Sequence, residues 1–212
     1  MPRDHLIFDS VMAAKRRFQR FARSRRMLRM KQMLALQGGE RVLDLGGSIH
    51  FWDGLDVPLD ITILNLPEFM PDPMPSHHDI TLIAGDATAV DLPDMSFDLV
   101  VSNSVIEHVG EPDRQRAMAQ EARRLAPRYW VQTPSIWFPI EAHTNMPFWW
   151  FWPRPLQERA IRKWRRTLPD WCAMVEGTTV IRHADLQAMF PDARIWTERL
   201  AGIPKSHIAW RG

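Results

Sequence analysis

The feature that most constrains the fold is a series of five short apolar runs that stop at glycine, proline or small polar residues. We predict that they are buried strands, at residues 41–45, 61–66, 81–84, 97–101 and 129–132. Helical or loop crossovers separate them, including helices near 114–125 and 183–189, which is typical of a parallel sheet covered on both faces. Two closing runs, near 193–198 and 206–210, have only a turn between them and should pair antiparallel. The pattern predicts an α/β, Rossmann-like, mostly parallel sheet of seven strands with an antiparallel last strand.

One domain of this kind accounts for most of the 212 residues. We predict that it occupies residues 41–212, and that residues 134–177, which are rich in Trp and Pro, form an inserted lid over a pocket. Residues 1–40 are expected to form a basic amphipathic helix from about Ser10 to Leu36, which Gly38-Gly39 would end. The apolar side of this helix carries Phe18, Phe21 and Leu28, with Met27, Met30 and Leu34 beside them.

Charge is distributed unevenly along the chain, although the formal net charge is only +2. Lys15 to Lys31 contains nine basic residues and no acidic one, and Trp149 to Arg166 contains six basic residues and one acidic residue. This polarity favours an anionic partner, which would be a phosphate group, a membrane surface or a nucleic acid. A solvated helix face is an equally good interpretation of the first stretch.

The sequence also bears on the compartment. The single cysteine, Cys172, excludes a disulfide within the chain and a zinc site built from cysteines. The first residues, MPRDHLIFDS, lack an apolar run of signal-peptide length, and no apolar stretch is long enough to span a bilayer. We therefore expect a cytoplasmic protein that its basic stretches could bring to the inner membrane surface.

Four predicted strand ends carry residues suited to a ligand, and ligands bind beyond the carboxyl ends of strands in an open parallel sheet. At the first, Gly46 and Gly47 would let the backbone approach a ligand, while Asp44 could accept hydrogen bonds from an amino group. At the second, Asn65, with Glu68 nearby, could hold a ribose diol, and at the third Asp86 could accept from an exocyclic amine. The fourth end, Ser102-Asn103-Ser104, would lie beside the reacting centre.

The order and spacing of four stretches resemble the class I S-adenosylmethionine (SAM) dependent methyltransferases, in particular their type 11 methyltransferase-domain branch. These stretches are VLDLGGS, ITILNLPE, GDATAVDLPDMSFDLVVSNSVIEHV and RQRAMAQEARRL, within about Val42 to Pro134. The resemblance implies that SAM is the cofactor and that these residues bind it: Asp44, Gly46, Gly47, Ser48, Asn65, Leu66, Asp86, Ala87 and Asn103.

By position in the family pattern, Asp44, Gly46 and Gly47 would line the methionine part of SAM, and Asn65 would contact its ribose. Asp86 and Ala87 would face the adenine, and Asn103 would lie near the sulfonium. Two features depart from that pattern. The family usually has glycines where this chain has Ser48 and His50, and an acid where it has Asn65. A neutral amide lacks the charge-assisted strength of a carboxylate towards a hydroxyl group.

Methyl transfer needs a base only where the acceptor carries a proton at neutral pH. The candidate catalytic residues are His108 and His143, each with a carboxylate nearby in the sequence, Glu107 and Glu141. Glu107 and His108 are expected to open a helix. The same four side chains could bind a divalent ion, as a similar Glu–His set does in some RNA and quinone O-methyltransferases of the superfamily. We expect acid–base roles for them and no metal.

The methyl acceptor is expected to be a hydroxyl or carboxyl oxygen of a small molecule, a saccharide or a lipid-linked glycan. The tetrapeptide typical of amino-group nucleic-acid methyltransferases is absent, because Ser102-Asn103-Ser104-Val105 stands in its place. Two alternatives remain: an RNA 2′-O-methyltransferase, which the basic stretches favour, and a non-catalytic SAM-fold binding module at a membrane surface. The tryptophans Trp149, Trp150 and Trp152 are interpreted as core or lid rather than as a ligand platform.

Overall fold

A computed structural model of the chain describes residues 22–212 and contains a seven-stranded sheet. The strands are β1 (Arg41–Leu45), β2 (Asp60–Asn65), β3 (Asp79–Ala84), β4 (Leu99–Asn103), β5 (Arg128–Pro134), β6 (Arg194–Leu200) and β7 (Ile203–Arg211). Their order across the sheet is β3-β2-β1-β4-β5-β7-β6. The strands from β3 to β5 pair in parallel, and β7 pairs antiparallel with both β5 and β6. The predicted fold class is confirmed.

Six helices accompany the sheet in the described part of the chain. They are α1 (residues 22–34), α2 (Ile49–Trp52), α3 (Pro112–Leu125), α4 (Arg154–Thr167), α5 (Pro169–Glu176) and α6 (His183–Met189), with single 3₁₀ turns at Pro67–Phe69 and Trp149–Phe151. Within residues 22–212, no helix combines the length and the apolar character needed to cross a membrane.

Alternating residues of each strand enter two hydrophobic cores, one on each face of the sheet. On β1, Val42 belongs to the core that contains Met27 and Met30 of α1, whereas Leu43 and Leu45 belong to the core that contains α3 and α6. The fourth strand extends further than predicted, to Asn103, because its last residues still pair with β5. Small polar residues at a strand end look like a turn in the sequence, although the hydrogen-bonded ladder continues through them.

The first helix differs from the prediction in the side that it buries. Met27, Met30 and Leu34 are buried, whereas Leu28 is 50% exposed, so the predicted apolar side was wrong at Leu28. The helix packs directly on the sheet through this buried side. Phe18, Phe21, the predicted start near Ser10 and the basic residues before position 22 lie outside the described residues.

The insertion at 134–177 contains two helices that the sequence analysis did not predict, α4 and α5. Two of its prolines, Pro155 and Pro169, stand in the first turns of these helices, where a missing backbone N–H removes no hydrogen bond. The helices enclose a third, smaller core of Trp149, Trp164, Cys172 and Val175. Trp149 is 3% exposed, and Trp150 and Trp152 pack against this core, which supports the interpretation of the tryptophans as core.

Candidate active site

The four strand ends that the sequence analysis singled out lie along one edge of the sheet. This follows from the topology, because β3, β2, β1 and β4 are neighbours and run in the same direction. The cofactor residues that the resemblance implies therefore follow adjacent strands. Among them, Ser48 and Leu66 are exposed and accessible to a ligand.

The turn after β1 requires glycine at two successive positions for different reasons. Gly46 has a φ of +74°, and a Cβ on it would lie 2.5 Å from Val105 Cγ1. A Cβ on Gly47 would lie 1.7 Å from Asp44 Oδ2, well inside contact distance. Asn65, at the end of β2, donates a hydrogen bond to the Gly47 carbonyl over 2.9 Å. The turn is thus fixed from both strands, with the Asp44 carboxyl group directly beneath it.

Asp44 is fully buried, and its only hydrogen-bond donor among the described residues is Trp52, whose Nε1 lies 2.8 Å from Oδ2. Its Oδ1 has no partner within residues 22–212. Burial raises the pKa of this carboxyl group to about 7, against the effect of the Trp52 hydrogen bond. Asp44 is therefore a buried acceptor with one oxygen unused, positioned where the resemblance places the methionine part of SAM.

The carboxylate at the end of β3, Asp86, already has several partners. It accepts hydrogen bonds from the backbone N–H and the hydroxyl of Thr88, both over 2.8 Å, and forms an ion pair with Arg114 at 2.7 Å. The next residue, Ala87, is buried in the core below. In this structure Asp86 stabilises the local turn and ties it to α3.

Arg26 is a residue of this edge that the sequence analysis missed. It is 7% exposed, and its guanidinium donates to Asn103 Oδ1 over 2.5 Å and to Gln132 Oε1 over 2.8 Å. It also pairs with Glu198 Oε2 at 2.7 Å. The predicted cofactor residue Asn103 therefore has its carbonyl oxygen engaged by Arg26. A signal was present in the sequence: Arg26 stands midway between Ala22 and Met30, at the four-residue spacing of the buried side of α1.

The four predicted catalytic residues come together, although about 35 positions separate the two pairs in the sequence. Glu107 and His108 lie in a turn after β4 and not at the start of a helix, because α3 begins only at Pro112. Glu141 and His143 lie in a tight turn. There the Glu141 carboxylate accepts hydrogen bonds from the backbone N–H groups of His143 and Thr144.

Direct contacts join three of these residues, and a carboxylate oxygen of the fourth, Glu107, lies within 4.8 Å of the two imidazoles. His108 Nε2 lies 2.9 Å from His143 Nε2, and His143 Nδ1 lies 2.8 Å from Glu141 Oε1. Glu107 is 1% exposed; its Oε2 accepts from the Thr133 hydroxyl over 3.2 Å, and its Oε1 has no partner in the described part of the chain. The arrangement is a buried carboxyl group next to a pair of imidazoles, one of which is held by a second carboxylate.

Burial and charge shift the pKa values of these groups apart. Burial lowers the pKa of His108 to about 4, with the charge of His143 adding to the effect, and burial raises the pKa of Glu107 to about 7. Burial would also lower the pKa of His143, but the hydrogen bond to Glu141 and its charge outweigh burial and hold that pKa above its ordinary value. Groups with such divergent pKa values are typical of acid–base sites.

A cavity of about 720 Å³ is bordered by residues of β6, β7 and the segments after β5 and before α6. Aromatic and basic side chains line it, among them Trp137, Phe151, Arg182 and His207. His207 pairs in the sheet with Thr133, the residue whose hydroxyl contacts Glu107. His207 and Thr133 thus connect the lining of the cavity to Glu107, although none of the four cluster residues lines the cavity itself. The ring centroids of Trp137 and Phe151 are 5.4 Å apart, and both rings are largely exposed.

Comparison with known families gives one match. The family described as a methyltransferase domain, of the type 11 group, matches residues 68–130, from the 3₁₀ turn after β2 into β5. No curated protein sequence matches the chain.

Several solved structures share the fold. A Rhodobacter sphaeroides protein, provisionally named a Zn-dependent alcohol dehydrogenase, is 15% identical with a TM-score of 0.54 over 82% of this chain and 84% of that chain. The magnesium protoporphyrin IX methyltransferase of Synechocystis, solved with bound S-adenosylhomocysteine (SAH), is 13% identical with a TM-score of 0.53 over 91% and 85%. A provisionally assigned methyltransferase from an antibiotic biosynthesis pathway of Anabaena variabilis is 16% identical with a TM-score of 0.53 over 83% and 64%. At these identities the likeness establishes the fold and nothing more.

Proposed function

We propose that the chain is a SAM-dependent methyltransferase and that it transfers a methyl group to an oxygen atom of a small-molecule, saccharide or lipid-linked acceptor. The methyltransferase-domain match over residues 68–130 and the class I fold support this proposal. The observation that carries this proposal is the convergence of Glu107, His108, Glu141 and His143, which Thr133 and His207 connect to a cavity. A hydroxyl acceptor keeps its proton at neutral pH, so its methylation needs groups that take the proton away. A cluster of two imidazoles and two carboxyl groups meets that need.

The strand ends supply the residues that would hold the cofactor. When bound, SAM supplies an electrophilic methyl group on its sulfonium. Gly46 and Gly47 let the turn pack closely against Val105 and Asp44, and the unused Oδ1 of Asp44 suits an ammonium donor at the same turn. Ser48, Asn65 and Leu66 would border the ribose side, and Asp86 and Ala87 the adenine side. The buried acceptor beneath a close-packed glycine turn is the feature of this structure that fits the amino-acid end of SAM.

The acceptor would lie in the 720 Å³ cavity, between its aromatic pair and its basic residues. Trp137 and Phe151 offer apolar faces of the kind that pack against sugar rings or other flat groups. Arg182 and Arg199 offer donors for a phosphate or carboxylate on the acceptor. This combination favours an acceptor that carries both an apolar or ring-shaped part and a negative charge.

We also propose that the protein attaches reversibly to anionic membrane surfaces, where a lipid-linked acceptor would be found. Phe148, Phe151 and Leu156 are about half exposed and stand beside the exposed cations of α4. Apolar side chains next to a basic helix favour the interface of an anionic bilayer.

Two measurements test the proposed function. Calorimetry should detect SAH binding to the purified chain, and its absence would end the proposal. The chain should then be incubated with labelled SAM and separate pools of small metabolites, saccharide lipids and RNA. We expect label in an O-methyl group of the metabolite or saccharide-lipid pool. Label in RNA, or on nitrogen, would contradict the proposed acceptor class.

Variants make the second measurement sharper. His108→Ala and His143→Ala should lower turnover much more than SAH affinity, because their side chains lie on the acceptor side of the site. The matched control is His50→Ala, which removes an exposed histidine on α2. If His108→Ala and His143→Ala retain the turnover of the control, the cluster does not take part in the reaction.

A further inference from the structure

The Glu–His cluster has the composition and spacing of a metal site. A carboxylate oxygen of Glu107 and one ring nitrogen each from His108 and His143 lie within 4.8 Å of one another. We propose that these three side chains bind a divalent transition-metal ion, and that Zn²⁺ is the ion that they suit best. Two imidazoles and one carboxylate form a known zinc ligand set that leaves a fourth position open for an oxygen ligand. The site is formed by two separate turns, which the fold brings together across 35 positions.

The hydrogen bonds of the two rings determine where their protons lie. His143 Nδ1 faces the Glu141 carboxylate at 2.8 Å and must donate to it. His108 Nδ1 lies 3.2 Å from the Thr178 hydroxyl, which itself donates to the Met174 carbonyl at 2.8 Å. Because that hydroxyl has used its proton, His108 Nδ1 must be the donor to it. In neutral rings both Nε2 atoms are then left with lone pairs, and these lone pairs face each other over 2.9 Å.

Two lone pairs at this distance repel each other, so a positive species must lie between or beside them. A proton shared by the two rings would satisfy the nitrogens alone. It would leave Glu107 Oε1 buried and without a partner among residues 22–212. A divalent ion satisfies both nitrogens and this oxygen together, which is why the orphaned carboxylate oxygen favours a metal over a proton.

The two nitrogens require only a small adjustment, and the Glu107 oxygen, which lies within 4.8 Å of them, must approach to a tetrahedral separation. Zinc–nitrogen bonds of about 2.0–2.1 Å in a tetrahedron place two nitrogens about 3.3 Å apart, so the His108–His143 pair must open by about 0.4 Å. The partners behind the rings are already in place. Glu141 holds His143 and Thr178 holds His108, as carboxylates and hydroxyls behind metal-bound histidines usually do.

Metal binding does not depend on methyl transfer. Only the role of the ion rests on the proposed function: an acceptor hydroxyl bound at the open fourth position would lose its proton more readily next to the cation. The four side chains would then act as ligands and as the supports of ligands, in place of the direct acid–base roles expected from the sequence.

The test is a calorimetric titration of the full chain, stripped with EDTA, with Zn²⁺ in the absence of SAM. We expect one ion per chain. Glu107→Gln, which keeps the shape of the side chain, should weaken binding by about 100-fold or more, and Glu141→Gln by about 10- to 100-fold. Co²⁺ in place of Zn²⁺ should give visible absorption bands that Glu107→Gln abolishes. The matched control is His183→Ala, since His183 also contacts another histidine, His207, but lies outside the cluster.

The proposal is overturned if the unmodified chain shows no saturable Zn²⁺ binding, or if Glu107→Gln binds as tightly as the control while its circular dichroism spectrum is unchanged. Preferential binding of Mg²⁺ would overturn the assignment of the ion. SAH titrations run in parallel separate the two proposals. Binding of Zn²⁺ without binding of SAH would support the metal site and contradict the proposed function. Binding of SAH without binding of Zn²⁺ would overturn the metal site and leave the proposed function supported.

Discussion

At the scale of a single residue, Asp44 makes the free energy of unfolding depend on pH. Burial raises its pKa to about 7, whereas an Asp in an unfolded chain has a pKa of about 3.9. Between these values the unfolded chain loses the proton first, so the free energy of unfolding falls as the pH rises from about 4 to about 7.

We predict that Asp44→Asn removes this dependence. The difference in the free energy of unfolding between the variant and the unmodified chain should shift in favour of the variant as the pH rises from about 4 to about 7. The total shift should be a few kcal/mol, at about 1.4 kcal/mol per pKa unit. Urea unfolding of both proteins at pH 5 and pH 8 measures the difference. Asp53→Asn, at an exposed carboxylate on the same segment, is the control. A stability difference that is the same at both pH values would show that Asp44 is not held with a raised pKa.

Arg26 is the other residue on which this edge of the sheet depends. Its pairing with Glu198 is almost fully buried, and Ser206 also donates to the same carboxylate oxygen. Burial would raise the pKa of Glu198, but the charge of Arg26 and the hydrogen bond from Ser206 outweigh burial and hold it below its ordinary value.

We predict that Arg26→Met destabilises the chain by about 3 kcal/mol, because it leaves a buried carboxylate without its main partner. The double variant Arg26→Met, Glu198→Gln should lose less than the sum of the two single variants. Chemical unfolding of the unmodified chain, the two single variants and the double variant gives the coupling energy of this double-mutant cycle. Additive losses would mean that the two side chains do not stabilise each other. The control is Arg29→Met, on the exposed side of α1, which should lower the free energy of unfolding only slightly.

At the scale of an element, the turn after β1 offers a direct test of close packing. We predict that Gly47→Ala destabilises the fold and sharply weakens SAH binding, since the new Cβ would lie 1.7 Å from Asp44 Oδ2 and one of the two must move. The matched control is Gly54→Ala, whose Cβ would meet only Ser24 Oγ at 3.8 Å. Thermal unfolding and SAH calorimetry compare the two variants. Equal stability and equal SAH affinity of the two variants would show that the turn can accommodate a Cβ at position 47.

The strands were predictable because each one is marked by a short, continuous run of apolar residues in the sequence. Runs such as Val42 to Leu45 are buried on both faces of the sheet, so nearly every residue in them is apolar. The helices α4 and α5 were not predicted from the sequence, because their prolines stand in the first turn. There proline favours a helix that it would break at an interior position.

The site was predictable only in part, for a related reason. Residues at the ends of parallel strands must meet, so the loops after β1 to β4 could be placed together from the sequence. Arg26 could not be placed in this way, because its contacts with Gln132 and Glu198 depend on how distant elements pack. The contact between His108 and His143 likewise depends on the path of the insertion.

On the scale of the whole molecule, the separation of charge along the chain predicts behaviour at membranes. We predict that the protein sediments with anionic vesicles at low salt and is released at high salt. The cations of α4, at roughly 1 kcal/mol each near an anionic surface, are enough for measurable binding. Phe148→Ser with Phe151→Ser should reduce sedimentation, whereas Met95→Ser, at an exposed residue elsewhere, should not. Absence of bound protein at low salt would remove the membrane from the proposed function.

The pairing of Arg26 with Glu198 also has a consequence for how a newly made chain matures. The two residues are 172 positions apart, and ribosomes add about 5–20 residues per second. The helix that carries Arg26 is therefore translated about 10–30 s before its carboxylate partner exists. Throughout that interval Arg26 lacks the carboxylate that pairs with it in the folded protein. A chain that stops before Glu198 can still pack its first helix on the sheet, but it lacks the buried ion pair that joins this helix to β6.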